Sequence, residues 1–210
     1  MESSVLKNDF QKDLPGGETV QRHLIEAIQT TQTDNKPIPG FDPNRDDVDY
    51  YKAQQCIDCD EVYLGIYIGD GTTAKNKKYL QMIGVTHVLN SAQGNRFGFV
   101  NTDSNYYMDT GIKYLGLPLA DLASTDISKH FLTVTAFIDE AVSSGGKAFV
   151  HCRFGMSRSA TCVLAYLMIK KGMLAVDAVR TVCKNRHIRP NDGFLRQLAQ
   201  LDNQLRRQRL

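Results

Sequence analysis

The stretch His151-Cys152-Arg153-Phe154-Gly155-Met156-Ser157-Arg158-Ser159 sets a cysteine six residues before an arginine. A free thiol has a pKa of roughly 8.5, and a helix N-terminus with a nearby cation lowers it to roughly 3.5–7.5. Both influences exist if the apolar run Ala148-Phe149-Val150 is a buried strand and a helix opens at Arg158. A tight loop between them turns its backbone N–H groups inward and adds the positive end of the helix dipole. Arg153, Phe154, Gly155, Met156, Ser157 and Arg158 would then cradle a phosphate. Gly155 permits the curl, and the Arg158 guanidinium can fork onto two phosphate oxygens, which lysine cannot do. A Cys152 thiolate in that cradle is a nucleophile aimed at phosphorus. Cysteine at a strand end is also an ordinary small core residue. The whole string, rather than the Cys–Arg spacing alone, favours the reactive reading.

The elements that must position this loop read as an alternation of strands and helices. Apolar runs at 62–68, 85–89, 113–117 and 148–150 suggest buried strands, and helical patterns fall at 74–83, 127–142, 158–171, 174–185 and 192–206. That alternation predicts an α/β domain whose central, largely parallel twisted sheet is flanked by helices. Residues 1–45 are polar and interrupted by Pro15-Gly16-Gly17, Pro37, Pro39-Gly40 and Pro43. They read as a partly flexible N-terminal extension, with 46–210 as the catalytic domain. Within the extension, Leu24, Ile25 and Ile28 can share one face of a helix spanning 19–31, with Thr19 as its cap.

Composition narrows the function. With 25 basic and 23 acidic residues the net charge is +2, too balanced to hold nucleic acid or an anionic membrane over the whole surface. The five cysteines are odd in number, and the chain has neither an N-terminal apolar segment nor a run of 18 apolar residues. Free thiols in a reducing compartment are expected, in the cytoplasm with the nucleus also open. Oligomeric state is not legible.

Other motifs carry less. Cys56 and Cys59 have the spacing of half a zinc site, yet no second pair follows, so no metal is expected. Cys162 and Cys183 fall among apolar residues on helices and read as packing. Gly69-Asp70-Gly71 lacks the spacing of a dinucleotide loop and reads as a turn. Arg206-Arg207-Gln208-Arg209 reads as a solvated helix end rather than a targeting signal.

The loop matches the pattern His-Cys-x-x-Gly-x-x-Arg-Ser/Thr, and here the chain resembles the protein tyrosine phosphatase superfamily, in particular the small atypical dual-specificity phosphatases of the VHR type. The resemblance runs from about Asp60 to Leu205. It passes through Ile66-Tyr67-Ile68-Gly69, Gly84-Val85-Thr86-His87-Val88-Leu89-Asn90, Tyr114-Leu115-Gly116 and Arg189-Pro190-Asn191-Asp192-Gly193-Phe194. It implies a protein tyrosine phosphatase-like fold and a shallow pocket working without metal or other cofactor on phosphorylated proteins. The phosphate would leave phosphotyrosine and phosphoserine or phosphothreonine through a cysteinyl-phosphate intermediate.

By position the resemblance makes Cys152 the nucleophile, Arg158 the phosphate ligand and Asp121 the general acid. Asp126 competes for the last role, although its place before Ile127 also suits a helix cap. Ser159 would donate to the departing sulfur, and His151 would orient the loop rather than move protons. Asn191 would line the pocket floor or cap the last helix. Phe154 and Met156 stand where VHR-type loops carry glutamate and tyrosine, so the rim should be more apolar. A phosphoinositide or RNA-triphosphate phosphatase, or a catalytically silent phosphoprotein-binding module, are the alternatives. The loop lacks the lysines of the lipid-directed group and the Arg-Thr-Gly ending of the RNA-directed one.

Overall fold

The structure, a computed structural model, describes residues 13–42, 44–45 and 52–210. The rest of the predicted N-terminal extension lies outside the described residues. Five strands form one sheet: β1 (Cys59–Tyr63), β2 (Ile66–Gly69), β3 (His87–Asn90), β4 (Lys113–Gly116) and β5 (Ala148–His151). Their spatial order is β1-β2-β5-β3-β4, with β1 antiparallel to β2 and all other neighbours parallel. Central β5 aligns Phe149 with Tyr67 on one side and Val88 on the other. Its carboxyl end therefore opens between β2 and β3, the usual place for a ligand crevice in such sheets.

Strands covered on both faces read as continuous apolar runs, and the side chains here divide accordingly. Ile66, Ile68, Leu89 and Val150 enter the larger core, while Tyr67, Val88 and Phe149 join Tyr79, Leu80 and Tyr107 in a smaller one. The larger core is built around helix α5 (Arg158–Lys170), following α4 (Phe131–Ser143) and preceding α6 (Ala175–Cys183) and α7 (Asp192–Gln208). Every residue of α5 from Arg158 to Met168 is buried. A helix enclosed on all sides is a rigid mount for whatever sits at its N-terminus.

The fold matches the predicted α/β plan, with local differences. The apolar run 62–68 is a hairpin rather than one strand. Leu64 is 82% exposed at its tip, and Gly65 takes φ +73°, a left-handed conformation that side chains with a Cβ rarely adopt. The helix expected over 74–83 is interrupted, giving α2 (Gly71–Ala74) and α3 (Lys77–Met82). The Asn76 side chain accepts the Tyr79 N–H at 3.0 Å and starts the second piece.

The predicted N-terminal helix is α1 (Gln21–Thr30), but Thr19 does not cap it, because the helix begins after Val20. Thr19 instead donates its hydroxyl to Asp202 Oδ2 at 2.6 Å and its amide to Asn203 Oδ1 at 2.7 Å, both on α7. Leu24 is fully buried in the larger core beside Ala27, and Ile25 and Ile28 pack against it half-buried. The terminal arginines are more than a solvated end: Arg206 donates to the carbonyls of Pro15 and Gly17, and Arg207 pairs with Glu18.

Candidate active site

The backbone carbonyls of the loop following β5 are held one after another by groups outside the cradle. His151 Nδ1 lies 3.1 Å from the Cys152 carbonyl, and Gly71 N–H donates to Arg153 O at 3.2 Å. Arg186 donates to the carbonyls of Phe154 and Gly155, Arg189 N–H to Met156 O, and Thr161 to Ser157 O. Among the described residues, no amide N–H from 153 to 157 goes to a backbone carbonyl. Six successive carbonyls facing out leave the amides facing in, which is the geometry of an anion cradle. Gly155 adopts φ +65°, and a Cβ there would come within 2.5 Å of the Gly69 carbonyl, so only glycine fits the curl.

Cys152 sits at the base of this cradle, 1% exposed, with Ser159 Oγ 3.4 Å from its sulfur. Burial is the largest influence on the thiol and opposes ionisation. The Ser159 hydroxyl and amide, the Arg158 charge and the Phe154 amide together outweigh it, so the thiol lies below its ordinary range. Arg158 is buried at the start of α5, its Nη1 on Leu119 O at 3.0 Å and its Nη2 on Gly98 O at 3.1 Å. Nε is buried without a hydrogen-bond partner, 3.6 Å from Asp121 Oδ2. Two of its five N–H donors are thus taken by carbonyls, and Nε with the remaining Nη hydrogens is left to fork onto phosphate oxygens.

Of the two competing aspartates, the fold brings Asp121 to the loop. Asp121 Oδ1 accepts from Ser157 Oγ at 2.7 Å and from Asn191 Nδ2 at 2.8 Å. Asp126 is turned away and accepts from the Ser128 hydroxyl at 2.6 Å, which holds its carboxyl below the usual range. Asn191 caps α7, its Oδ1 accepting the Phe194 N–H at 3.0 Å, while its Nδ2 holds Asp121. A cysteine whose thiol lies below its ordinary range, an inward-facing amide cradle, a buried guanidinium and a tethered carboxyl are what phosphate-ester cleavage requires.

Comparison with known proteins agrees. Residues 66–204 match the dual specificity phosphatase catalytic domain. Dual specificity protein phosphatase 26 of Homo sapiens and that of Mus musculus are each 45% identical over 158 residues, covering 75% of this chain and 73% of the relative. The solved structure of human DUSP28 has a TM-score of 0.60 at 27% identity, covering 70% of this chain and 93% of that one. Human tyrosine phosphatase-like serine/threonine/tyrosine-interacting protein gives 0.61 at 33%, covering 69% and 95%. The chain belongs to the dual specificity phosphatases.

As a small atypical dual specificity phosphatase, it is a cysteine-dependent enzyme whose substrates are phosphorylated proteins. Around its cradle, Phe154 is 65% exposed with the Arg153 guanidinium 5.7 Å from its ring, and Met156 is half-buried. Phe97 and Leu122, both exposed, stand beside residues that contact Arg158 and Ser157.

His151 is fully buried and stacked on Phe149. Burial pulls its pKa down to about 4, so the ring is neutral and its Nδ1–H donates to the Cys152 carbonyl. Among the described residues no group of three histidine, cysteine or acidic side chains could hold a metal. Cys56 is exposed, whereas Cys59 is buried and its thiol is pushed up to about 12. Cys162 and Cys183 lie in the core. Gly69-Asp70-Gly71 is more than a turn, since Gly71 donates to the loop and Gly69 abuts it. The residue that sequence reasoning missed is Arg186: its partners are backbone carbonyls and distant carboxylates, and nothing adjacent in sequence announces them.

Proposed function

We propose that Cys152 is the nucleophile, Arg158 the phosphate ligand, Asp121 the general acid and Ser159 the donor to the leaving sulfur. The observation that carries this reading is the 3.4 Å approach of Ser159 Oγ to Cys152 Sγ inside a loop whose amides face inward. In the first step the thiolate attacks phosphorus, an S–P bond forms, and the ester P–O bond breaks as Asp121 gives its proton to the departing oxygen. In the second step the Asp121 carboxylate takes a proton from water, whose oxygen bonds to phosphorus as the S–P bond breaks. The Ser159 hydroxyl stabilises the sulfur as it leaves with the electron pair. The loop amides and Arg158 hold the equatorial oxygens in both steps. Substrates of this reading are phosphotyrosine and phosphothreonine or phosphoserine side chains, with the apolar rim against residues flanking the phosphate.

The test is phosphate release from a peptide phosphorylated on both Thr and Tyr, with chelator present, for wild type, Cys152→Ser and Asp121→Ala. Abolition by the first change and strong reduction by the second supports the assignment. Cleavage of a phosphoinositide or RNA triphosphate, with the peptide left intact, would keep the chemistry and replace the substrate class. Binding of the phosphopeptide without any turnover would make this a recognition module.

A further inference from the structure

Arg186 follows α6, and its side chain is 6% exposed. A guanidinium carries five N–H donors, and here each has a partner. Nε donates to Gly155 O at 2.8 Å, and Nη2 to Phe154 O at 3.3 Å and Asp58 Oδ2 at 2.8 Å. Nη1 donates to Asp58 Oδ1 and to Asp60 Oδ2, both at 2.7 Å. One buried cation thus joins two carboxylates, one in β1 and one just before it, to two successive carbonyls of the phosphate loop.

A peptide unit is planar, with its C=O and N–H pointing in opposite directions. Fixing Phe154 O outward therefore turns the Gly155 N–H inward, and fixing Gly155 O does the same for the Met156 N–H. We propose that Arg186 is a positioning residue for phosphoryl transfer, setting two of the cradle's amide donors, and that it is not itself a ligand for substrate phosphate. Its two carboxylate partners balance its charge, and no donor is left over for a second phosphate. Burial pushes the Asp60 carboxyl up while Arg186 acts against it, so the three charged groups form a unit. Removing the guanidinium would release both carbonyls at once. The inference rests on reading the loop as a phosphate cradle.

The test compares wild type with Arg186→Lys and Asp60→Asn, using melting temperature, turnover of p-nitrophenyl phosphate and calorimetric tungstate affinity. Lysine keeps the charge but cannot hold two carbonyls and two carboxylates together. The folded Arg186→Lys protein should lose about 10–100-fold in kcat and a comparable factor in tungstate affinity, less than the 10²–10³ of deleting a fixed oxyanion donor. Leu24→Ala, remote from the loop, serves as a control for stability and should leave tungstate affinity unchanged. Should Arg186→Lys fail to fold, Asp60→Asn keeps the arginine, and a several-fold loss of tungstate affinity is expected from it.

Unchanged kcat and tungstate affinity in whichever variant folds would overturn the proposal. So would a KM raised only for a doubly phosphorylated peptide, since that identifies a second phosphate site. If wild type turned over no phosphomonoester yet bound tungstate in an Arg186-dependent way, the enzymatic reading would fall and the positioning role would stand.

Discussion

The Ser157 hydroxyl donates to Asp121 Oδ1 at 2.7 Å, so the loop carrying the thiol also fixes the carboxyl proposed to protonate the leaving group. Asn191 completes the tether, donating its side-chain amide to the same oxygen while its backbone N–H reaches Ser157 Oγ at 3.3 Å. Oδ1 is thereby occupied, so Oδ2, which lies 3.6 Å from Arg158 Nε, is the oxygen that would exchange a proton with substrate. Nucleophile and acid are referred to one rigid element, the N-terminus of α5.

Replacing Asp121 by Ala should lower kcat by about 10²–10³ on an ester with a poor leaving group, within the range general acids supply. The loss should shrink to a few-fold when the leaving group is a strongly acidic phenol, which needs no proton. Ser157→Ala should cost roughly 10-fold with the same leaving-group dependence, because the acid stays but its placement loosens. Steady-state rates across a series of aryl phosphates measure this. An equal loss for every leaving group would remove Asp121 from the acid role.

Ser159 contributes the largest of the interactions that lower the Cys152 thiol. Ser159→Ala should therefore raise that pKa, moving the pH at which iodoacetamide alkylates Cys152 toward the free-thiol region of roughly 8.5. The same variant should slow breakdown of the cysteinyl phosphate more than its formation. Stopped-flow release of p-nitrophenol would then show a burst equal to the enzyme concentration. Absence of a burst with unchanged alkylation would leave Ser159 as packing alone.

The loop could be read from sequence because its cysteine, glycine, arginine and serine are contiguous, and strand and helix patterns flank them. Asp121 lies in a loop with no periodicity, so residue types alone could not separate it from Asp126. The structure distinguishes them by their partners, Ser157 for one and Ser128 for the other. Arg186 was invisible for a different reason. It acts through backbone carbonyls, which any sequence presents, and through Asp58 and Asp60, which lie 128 and 126 residues away along the chain. The hairpin at Leu64-Gly65 escaped because an apolar residue at an exposed tip looks like the strand on either side of it. The helix of the extension was legible from its spacing, but its anchor, Thr19 on Asp202, joins opposite ends of the chain.

Peroxide should inactivate the enzyme reversibly, because an ionised cysteine oxidises first to sulfenic acid. The other buried thiols, Cys59, Cys162 and Cys183, are all pushed up by burial and should stay unmodified under the same exposure. Mass spectrometry after brief peroxide and trapping with dimedone should find the adduct on Cys152. Full activity after peroxide without added reductant would contradict the low-pKa assignment.

Acid should weaken the fold through His151. Its pKa falls from about 6.5 in the unfolded chain to about 4 in the buried, neutral ring. Below pH 6.5 the unfolded chain takes up a proton that the folded one refuses, so stability is full above 6.5 and is lost as pH falls toward 4. The two charges acting on the ring oppose one another, Asp70 raising its pKa and Arg158 lowering it, and burial dominates both. The complete swing corresponds to roughly 3 kcal/mol for this one proton. His151→Gln, which retains an amide donor for the Cys152 carbonyl, should be less stable at pH 7.5 but should lose less stability between 6.5 and 4 than wild type. Urea denaturation at several pH values gives both slopes, and parallel slopes would show that another group accounts for the acid sensitivity.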